Sequence, residues 1–444
     1  MKRAPRPIDS YAGQHERRVC IRTTRYGAGQ GKVRLMPAKL AILFAILVID
    51  VFGIGLMLPV VPGLVRELTG GDIASAASTY GWLIALYSLM QFLFGPAMGA
   101  LSDRFGRRPV LLASMFGLGV DYLLLALAPA LWVVAVARII GGAMGASIST
   151  ASAYIADITP PEKRAQSFGF IGVAFGIGFI TGPLAGGFLG EYGSRVPFYG
   201  AALVSFIALA AAWVLLPESL APELRRRFRL REANPLGAFI AISRYRAVMA
   251  LLVIFVLSQL AERLLESTWV LFTAYQFHWS AADVGVSFAW VGILFVITQG
   301  GLVRVVVPRI GEWNTVILGF VVAAICMTSM AFVASPWVLY AVTVPYVLGW
   351  GLTGPASQAV VTRIVAPNEQ GLLQGAIASV STATGVIAPP IGGALFGYFI
   401  SDRAPVHLPG VAFLLGGSLF VLGLIFAARP HVIRTVREAM AAKA

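Results

Sequence analysis

The chain has 444 residues, of which 58% are hydrophobic and only 12% charged, and its mean hydropathy is +0.81. A soluble globular protein carries about 25% charged residues. Half that density, set between long apolar runs, indicates a polytopic membrane protein and argues against a soluble enzyme, a nucleic-acid binder or a disordered scaffold. The formal charge of +14 sits in short segments between the apolar runs, where the positive-inside rule accounts for it without a nucleic-acid partner. Cys20 and Cys326 are far apart and suggest no disulfide framework. The start of the chain carries no cleavable signal pattern.

Residues 1–38 form a basic stretch in which nine Lys and Arg face only Asp9 and Glu16. It reads as a tail touching anionic lipid, as a plain cytoplasmic tail, or as an over-extended start ahead of Met36. Twelve apolar spans follow, each near the roughly 20 residues a membrane helix needs, at 39–61, 80–101, 109–127, 131–154, 167–190, 196–216, 247–274, 283–303, 313–333, 337–360, 371–397 and 408–428. The segments after the second, fourth, sixth, eighth and tenth spans carry Arg104, Arg107 and Arg108; Lys163 and Arg164; Arg225 to Arg231; Arg304 and Arg309; and Arg363. The alternate segments are short or of mixed charge. That bias predicts cytoplasmic termini.

The longest interior polar stretch, 217–246, divides the spans six and six, giving halves at 39–216 and 247–428 and a short basic tail at 429–444. The halves echo each other. Arg104-Phe-Gly106 recurs as Arg309-Ile-Gly311, an offset of 205; Glu162 recurs as Glu369, an offset of 207; and Pro183-x-x-Gly-Gly recurs as Pro389-x-x-Gly-Gly, an offset of 206. Pro129 and Trp132 recur as Pro336 and Trp337. The expected fold is an all-α membrane protein, a twelve-helix bundle of two pseudo-symmetric six-helix halves, with a substrate site between them near the midplane.

Gly99-Ala-Leu-Ser-Asp103-Arg104-Phe-Gly106-Arg107-Arg108-Pro109 follows the second span. Glycine permits a tight turn there. Asp103 is expected to take the positive start of the third span and nearby arginines. Such a cluster can latch the halves together in one state and release them in another; the plain alternative is a positive-inside turn. The second copy lacks the acid, with Pro308 where Asp103 would stand.

Asp50, Asp121 and Arg138 lie inside the first, third and fourth spans. A charge at mid-bilayer costs on the order of 3 kcal/mol and usually marks function. A carboxylate there can load and unload a proton as access alternates, and the approach of Arg138 can expel it. The alternative is a static Asp–Arg pair that fixes helix packing. The stretch Gly169 to Gly187, GFIGVAFGIGFITGPLAGG, carries Gly169, Gly178, Gly182, Gly186 and Gly187 with Pro183 among them. Glycine costs roughly 1 kcal/mol per position in a helix interior, so the run implies close helix packing, with a bend at the proline. In the seventh span, Glu262 and Glu266 are four apart and share a helix face with Gln259, Arg263 and Trp269 nearby. They read as a cation or proton site facing a cavity, or as structural partners of Arg263. No nucleotide-binding loop, metal-ligand spacing or nucleophile elbow is found, so no enzyme activity and no bound cofactor are expected, and an ion gradient rather than ATP is the expected energy source.

These motifs resemble those of a known group. The Gly99–Pro109 pattern, Arg138 with Gly142 and Gly145, and the Gly169–Gly187 spacing resemble the cytoplasmic signature, the fourth-helix motif and the antiporter motif of the major facilitator superfamily drug exporters. Asp50-Val-Phe-Gly-Ile-Gly-Leu-Met-Leu-Pro, Tyr87-Ser-Leu-Met-Gln91, Asp121-Tyr122 and Ala153-Tyr-Ile-Ala-Asp157-Ile-Thr are similar to the tetracycline efflux transporters of Gram-negative bacteria. The resemblance implies exchange of a tetracycline–divalent metal chelate, with Mg²⁺ as cargo, for protons across a bacterial inner membrane, by a transporter that works as a monomer. It implies that Asp50, Asp121 and Arg107 are transport-essential and that Gln91 lies near the drug path. The C half departs from the pattern. Gly319 to Cys326 lacks the ninth-span acid of those exporters, and they usually lack the charges at Glu262 and Glu266. The departure leaves room for the same antiporter moving another drug, a sugar or a metabolite.

Overall fold

The computed structural model describes residues 38–145, 147–226, 246–364 and 370–441, together with positions 234, 237 and 240. The basic N-terminal stretch, most of the basic central loop and Glu369 lie outside the described residues. Every regular element described is helical: α1 (Ala38–Met57), α2 (Val61–Leu68), α3 (Ile73–Phe105), α4 (Arg107–Leu127), α5 (Leu131–Met144), α6 (Ser147–Ile158), α7 (Arg164–Gly190), α8 (Val196–Leu215), α9 (Arg246–Phe277), α10 (Ala281–Ile297), α11 (Val303–Ile310), α12 (Glu312–Met330), α13 (Pro336–Ile364), α14 (Gln370–Phe399), α15 (Val411–Ala427) and α16 (Pro430–Ala441). Nine stretches are long and apolar enough to cross a membrane among the described residues, taking α5 with α6 and α10 through α11 as continuous. Helices α9 and α13 cover the seventh and tenth expected spans, and α15 is a shorter apolar helix.

Local chemistry sets the element ends. Helix α1 stops at Met57, four residues short of the expected boundary, because Pro59 interrupts the chain and Pro62 starts the separate helix α2. Asp72 caps α3 by accepting from the backbone N–H groups of Ala74 and Ser75 at 3.3 and 2.8 Å. Ser280 and Asp283 form a reciprocal capping box at α10. A π-turn over Thr298–Leu302 joins α10 to α11. Gly106 and Gly311, the echoed glycines, both take left-handed φ, 108° and 83°, between consecutive helices, so the repeat extends to backbone conformation. Trp132 and Trp337, also echoed, are both strongly exposed, 68% and 81%, as a lipid-interface belt requires.

The halves touch along two seams, α3 against α14 and α7 against α10. A shift of about 206 residues carries α3 onto α10–α11 and α7 onto α14, so each seam is the image of the other. Both seams are backbone contacts made through glycine. A β-carbon at Gly285 would sit 2.5 Å from the Pro183 carbonyl oxygen, and one at Gly397 would sit 2.7 Å from that of Ala74. Gly81 faces Pro389 and Gly393 faces Ala77 more closely still. Within the first half, Gly178 and Gly182 meet Val51, Phe52 and Gly55 of α1, and Gly186 meets Leu56. Gly187 crosses to Ala281 of α10. Gly169, at the other end of α7, has no atom within 4 Å of where its β-carbon would be.

The α7–α10 seam reaches the end of the bundle that carries residues 61–72, 191–195 and 278–280, where a cavity of about 240 Å³ also lies between the halves, lined by Val60, Arg66 and Ser194 of the first and Val270, Tyr275 and Ser280 of the second. There Glu191 reaches across to accept the α10 backbone N–H of Ala282 at 3.1 Å. On the same surface Glu67 accepts from the Ser194 hydroxyl at 2.9 Å and from Arg195 at 3.1 Å. The hydroxyl first, then the guanidinium, hold its carboxyl below the ordinary value. His278 adopts φ 55° in the turn ahead of α10. Towards the opposite end Gly95, Gly99, Gly172, Gly300 and Gly301 all face open space.

Two outcomes follow from this packing. Gly186→Val forces α1 from α7 and lowers the unfolding midpoint in detergent, a loss of about 1–3 kcal/mol, whereas Gly169→Ala leaves it unchanged or raises it slightly. Equal losses at both positions would contradict the close-packing role of the α7 glycines. Glu191→Ala removes the cross-half cap and raises maleimide labelling of a Val284→Cys reporter, buried in α10, several-fold; unchanged labelling would show that the seam closes without it.

Candidate functional site

The turn between α3 and α4 is the most heavily bonded site in the first half. Arg107 is 9% exposed and meets Asp103 at 2.5 Å, Asp157 of α6 at 3.2 Å and the Ser102 hydroxyl at 2.6 Å. The start of α4 is taken by Glu218, not by Asp103 as expected. The Glu218 carboxylate accepts the backbone N–H groups of Arg107 and Arg108 at 2.9 and 3.3 Å. It lies where a β-carbon on Gly106 would stand, so only glycine admits it. Asp103 instead precedes the helix start and pairs with the Arg107 side chain. Its carbonyl oxygen accepts the Arg226 N–H at 3.0 Å. The Ser219 hydroxyl donates to Asp157 at 3.0 Å and the Tyr154 hydroxyl to the Pro217 carbonyl at 2.7 Å. Arg108 donates to the Trp213 carbonyl oxygen. Arg104 is exposed, over the Phe105 ring, and Gly99 faces open space. Every described partner of this cluster belongs to residues 99–226. The expected latch between halves is therefore, in this conformation, a lock within one half that grips the segment after α8.

The second group is buried in the same half. Arg138 of α5 donates through Nη2 to both carboxylate oxygens of Asp121 of α4, at 2.6 and 2.5 Å. Both residues are almost wholly buried, 4% and 1% exposed. A β-carbon at Gly141 would collide with the Asp121 carboxylate at 2.6 Å, so the glycine beside Arg138 makes room for the pair. The guanidinium also lies 5.5 Å from the Tyr87 ring centre and 3.6 Å from Met57 Sδ. Gly142 packs on the Tyr87 backbone, and Gln91 donates to the Gly145 carbonyl at 3.2 Å. Asp50 is buried in α1; Gly53, one turn on, faces the Tyr122 ring, whose residue follows Asp121.

The third group is a cavity of about 220 Å³ between α7 and the second half. Helix α9 presents Glu262, Leu265, Glu266 and Trp269 to it, a spacing of three and four that keeps one face. The other walls are mostly aromatic: Phe175 and Phe179 of α7, Phe288 and Phe295 of α10, Tyr346 and Trp350 of α13. Arg263 donates to Glu266 at 2.7 Å and approaches the Ser381 hydroxyl, which also accepts from Gln259 at 3.0 Å. Trp269 donates to the Ser287 hydroxyl at 3.0 Å. Of the cavity residues expected from sequence, Glu262, Glu266 and Trp269 line this space, and Gln259 and Arg263 stand behind them. Gln91 belongs to the N-half cluster, and Asp50, Asp121 and Arg138 are not among its lining residues. Glu218 and the aromatics of α7, α10 and α13 escape sequence reasoning, because single acids in loops and single aromatics in apolar spans carry no spacing signal. Among the described residues no cluster of three or more His, Cys, Asp or Glu is placed to hold a metal ion.

Residues 42–389 match the Major Facilitator Superfamily. The chain is 38% identical over 385 residues to Tetracycline resistance protein, class C, of Escherichia coli, covering 87% of this chain and 95% of that protein. It is 28% identical over 391 residues to Multidrug resistance protein 2 of Bacillus subtilis, covering 86% and 93%. Among solved structures, the human organic anion transporter MFSD10 (TETRAN) superposes with a TM-score of 0.65 at 23% identity, covering 88% of this chain and all of that one. The nucleoside transporter NupG superposes with a TM-score of 0.69 at 14% identity, covering 88% and 99%. Matched to the family model over 42–389 and 38% identical to a tetracycline resistance protein along nearly the whole of both chains, the chain belongs to the major facilitator superfamily, in the group of the tetracycline resistance proteins.

Proposed function

We propose that the chain exports tetracycline, carried as a chelate with Mg²⁺, or an amphiphile of similar chemistry, out of the bacterial cytoplasm in exchange for protons. The observation that carries this reading is the 38% identity to a tetracycline resistance protein over almost all of both chains. The bundle crosses the inner membrane twelve times, with both termini cytoplasmic, as the Arg-rich alternate segments favour. The protein works as a monomer, its halves at 39–216 and 247–428 rocking about the glycine seams. Asp50 and Asp121 handle the proton, with Arg138 as the fixed charge that competes with it for Asp121. The Arg107 cluster holds the first half rigid while the seam opens. The aromatic cavity receives the apolar face of the drug.

A second reading, the same antiporter acting on a different substrate, is favoured by one feature of the C half. The stretch Gly319 to Cys326 carries no acid, while α9 brings two glutamates, Glu262 and Glu266, to the wall of the cavity. The charge that meets the substrate has moved.

In inside-out vesicles with Mg²⁺ and an imposed proton gradient, the wild type accumulates tetracycline without ATP, and Asp50→Asn abolishes the uptake. A correctly inserted wild type that accumulates none would overturn the tetracycline assignment; full uptake by Asp50→Asn would remove that acid from the coupling path. Asp121→Asn strands a buried guanidinium and lowers stability in detergent by about 3–5 kcal/mol, and pairing it with Arg138→Met recovers much of the loss. Thermal unfolding of the two variants checks this, and equal midpoints would mean that the pair is not the energetic unit.

A further inference from the structure

We propose that the Arg263–Glu266 pair of α9, with Gln259 and Ser381 beside it, is a recognition site for a dipolar head group on the cargo, the guanidinium taking its anionic oxygens and the carboxylate an adjacent ammonium. The proposal rests on the export reading only in taking the space between the halves as the cargo path.

Each half carries an ion pair deep within its apolar spans, and the two differ in access. In the first half the Arg138 and Asp121 side chains are 5% and 1% exposed. In the second half those of Arg263 and Glu266 are 36% and 48% exposed. Arg263 lies near the middle of α9 (Arg246–Phe277), at bilayer depth. Charged side chains at that depth face protein or a water-filled space rather than lipid. The neighbours show which space it is. Gln259 donates to the Ser381 hydroxyl of α14 at 3.0 Å, and Arg263 Nη2 approaches the same hydroxyl at 3.5 Å. One turn on from Ser381, a β-carbon at Gly385 would sit 2.8 Å from the Ser88 hydroxyl of α3, and α9 itself touches α3. Tyr80 of α3 stands within electrostatic reach of both Glu266 and Arg138. The open pair therefore fronts the first half, beside the α3–α14 seam.

The group is short of acceptors. A guanidinium offers about five N–H donors and a glutamine amide about two. The side-chain acceptors that meet them are one oxygen of Glu266, at 2.7 Å, and the Ser381 hydroxyl. Water can serve the surplus at rest, and cargo oxygens can replace that water. The planar donor fork of Arg263 suits a carboxylate or enolate, which it holds through two parallel hydrogen bonds. An anion alone would displace Glu266 and strand its carboxylate. A cation alone would compete with Arg263 for Glu266 and leave the donors unmet. A head group that carries both charges close together meets both residues, and separating a pair this exposed costs little.

The test uses purified protein in nanodiscs and three probes that share one hydrophobic body: biphenylalanine, a zwitterion; its methyl ester, a cation at about pH 6; and its N-acetyl derivative, an anion. Binding is read as the excess over empty nanodiscs. The wild type is expected to prefer the zwitterion to either relative by roughly tenfold or more. Arg263→Gln brings the zwitterion down to the ester, Arg263→Lys keeps part of the difference, and Glu266→Gln brings it down to the N-acetyl acid. A pair that only holds α9 to α14 would give one loss common to all three probes, and that pattern overturns the proposal. Equal affinity of the wild type for the three probes overturns it as well, and that comparison needs no variant to fold. The double variant Arg263→Gln, Glu266→Gln strands no charge, and a zwitterion preference that survives in it also overturns the proposal. Mg²⁺–tetracycline uptake by the same wild type separates this from the export reading. No uptake with an intact zwitterion preference defeats the tetracycline assignment and leaves the site. Uptake with no preference among the probes defeats the site and leaves the assignment.

Discussion

Backbone-to-backbone contact through glycine is the constraint on which the rest of this bundle depends. In a bilayer the lipid tails are as apolar as the helices, so burial of apolar surface does not hold helix to helix. What remains is close approach, and the α7 stretch provides it on two sides. Gly178, Gly182 and Gly186 admit α1, while Gly187 and the Pro183 carbonyl admit α10. The helical propensity lost along the run, roughly 1 kcal/mol per glycine, is offset by dispersion contacts that no larger residue could make. Pro183 stands between α1 and α10, its ring against Gly55 of the first and its carbonyl oxygen against Gly285 of the second. The mirror seam, α3 on α14, uses Gly81, Gly393 and Gly397 in the same manner.

The repeat that generates two equivalent seams does not extend to the charges. Gly106 and Gly311 share a backbone conformation, but the Asp103 position becomes Pro308 and no counterpart of the Asp121–Arg138 pair is described in the second half. The first half holds paired charges: Arg107 among Asp103 and Asp157, and Asp121 with Arg138. The second half holds most of the aromatic walls and a smaller charged group on α9, Arg263 paired with Glu266 beside Glu262.

Much of this could be read from the chain before any coordinates. Hydropathy located the helices to within a few residues. The 206-residue echoes foretold which helices would be related, and the glycine run foretold close packing along α7, though not its partners α1 and α10. The face shared by Glu262, Glu266 and Trp269 is simple helical arithmetic. The errors have physical causes. Asp103 was credited with capping α4, yet a residue preceding Gly106 cannot turn back onto the N–H groups beyond it as readily as Glu218 can arrive from outside. Glu218 lies 111 residues away, and no local pattern announces a partner at that distance. Gly169 fits the antiporter spacing and packs against nothing, since a motif match describes spacing and not surroundings. The cavity aromatics come from four helices, α7, α9, α10 and α13, and only the crossing of those helices selects them from the 27 phenylalanines, 13 tyrosines and 9 tryptophans of the chain.

Alternating access demands bodies that stay rigid while the surface between them slides. The Arg107 cluster meets that demand because its described partners lie within residues 99–226: it ties α3, α4, α6 and the segment after α8 into one block. A cluster bridging the halves would have to break several charge-assisted hydrogen bonds at each cycle, each about 1.5–3 kcal/mol. A bond that does cross, Glu191 to the Ala282 N–H, is exposed to solvent, where water can replace either partner at little cost. The glycine seams add contacts that weaken gradually as backbones slide. In this conformation the strong charge-assisted bonds of the Arg107 cluster lie within the first half, while the seams between halves rest on glycine contacts, and the aromatic cavity lies beside the α7–α10 seam.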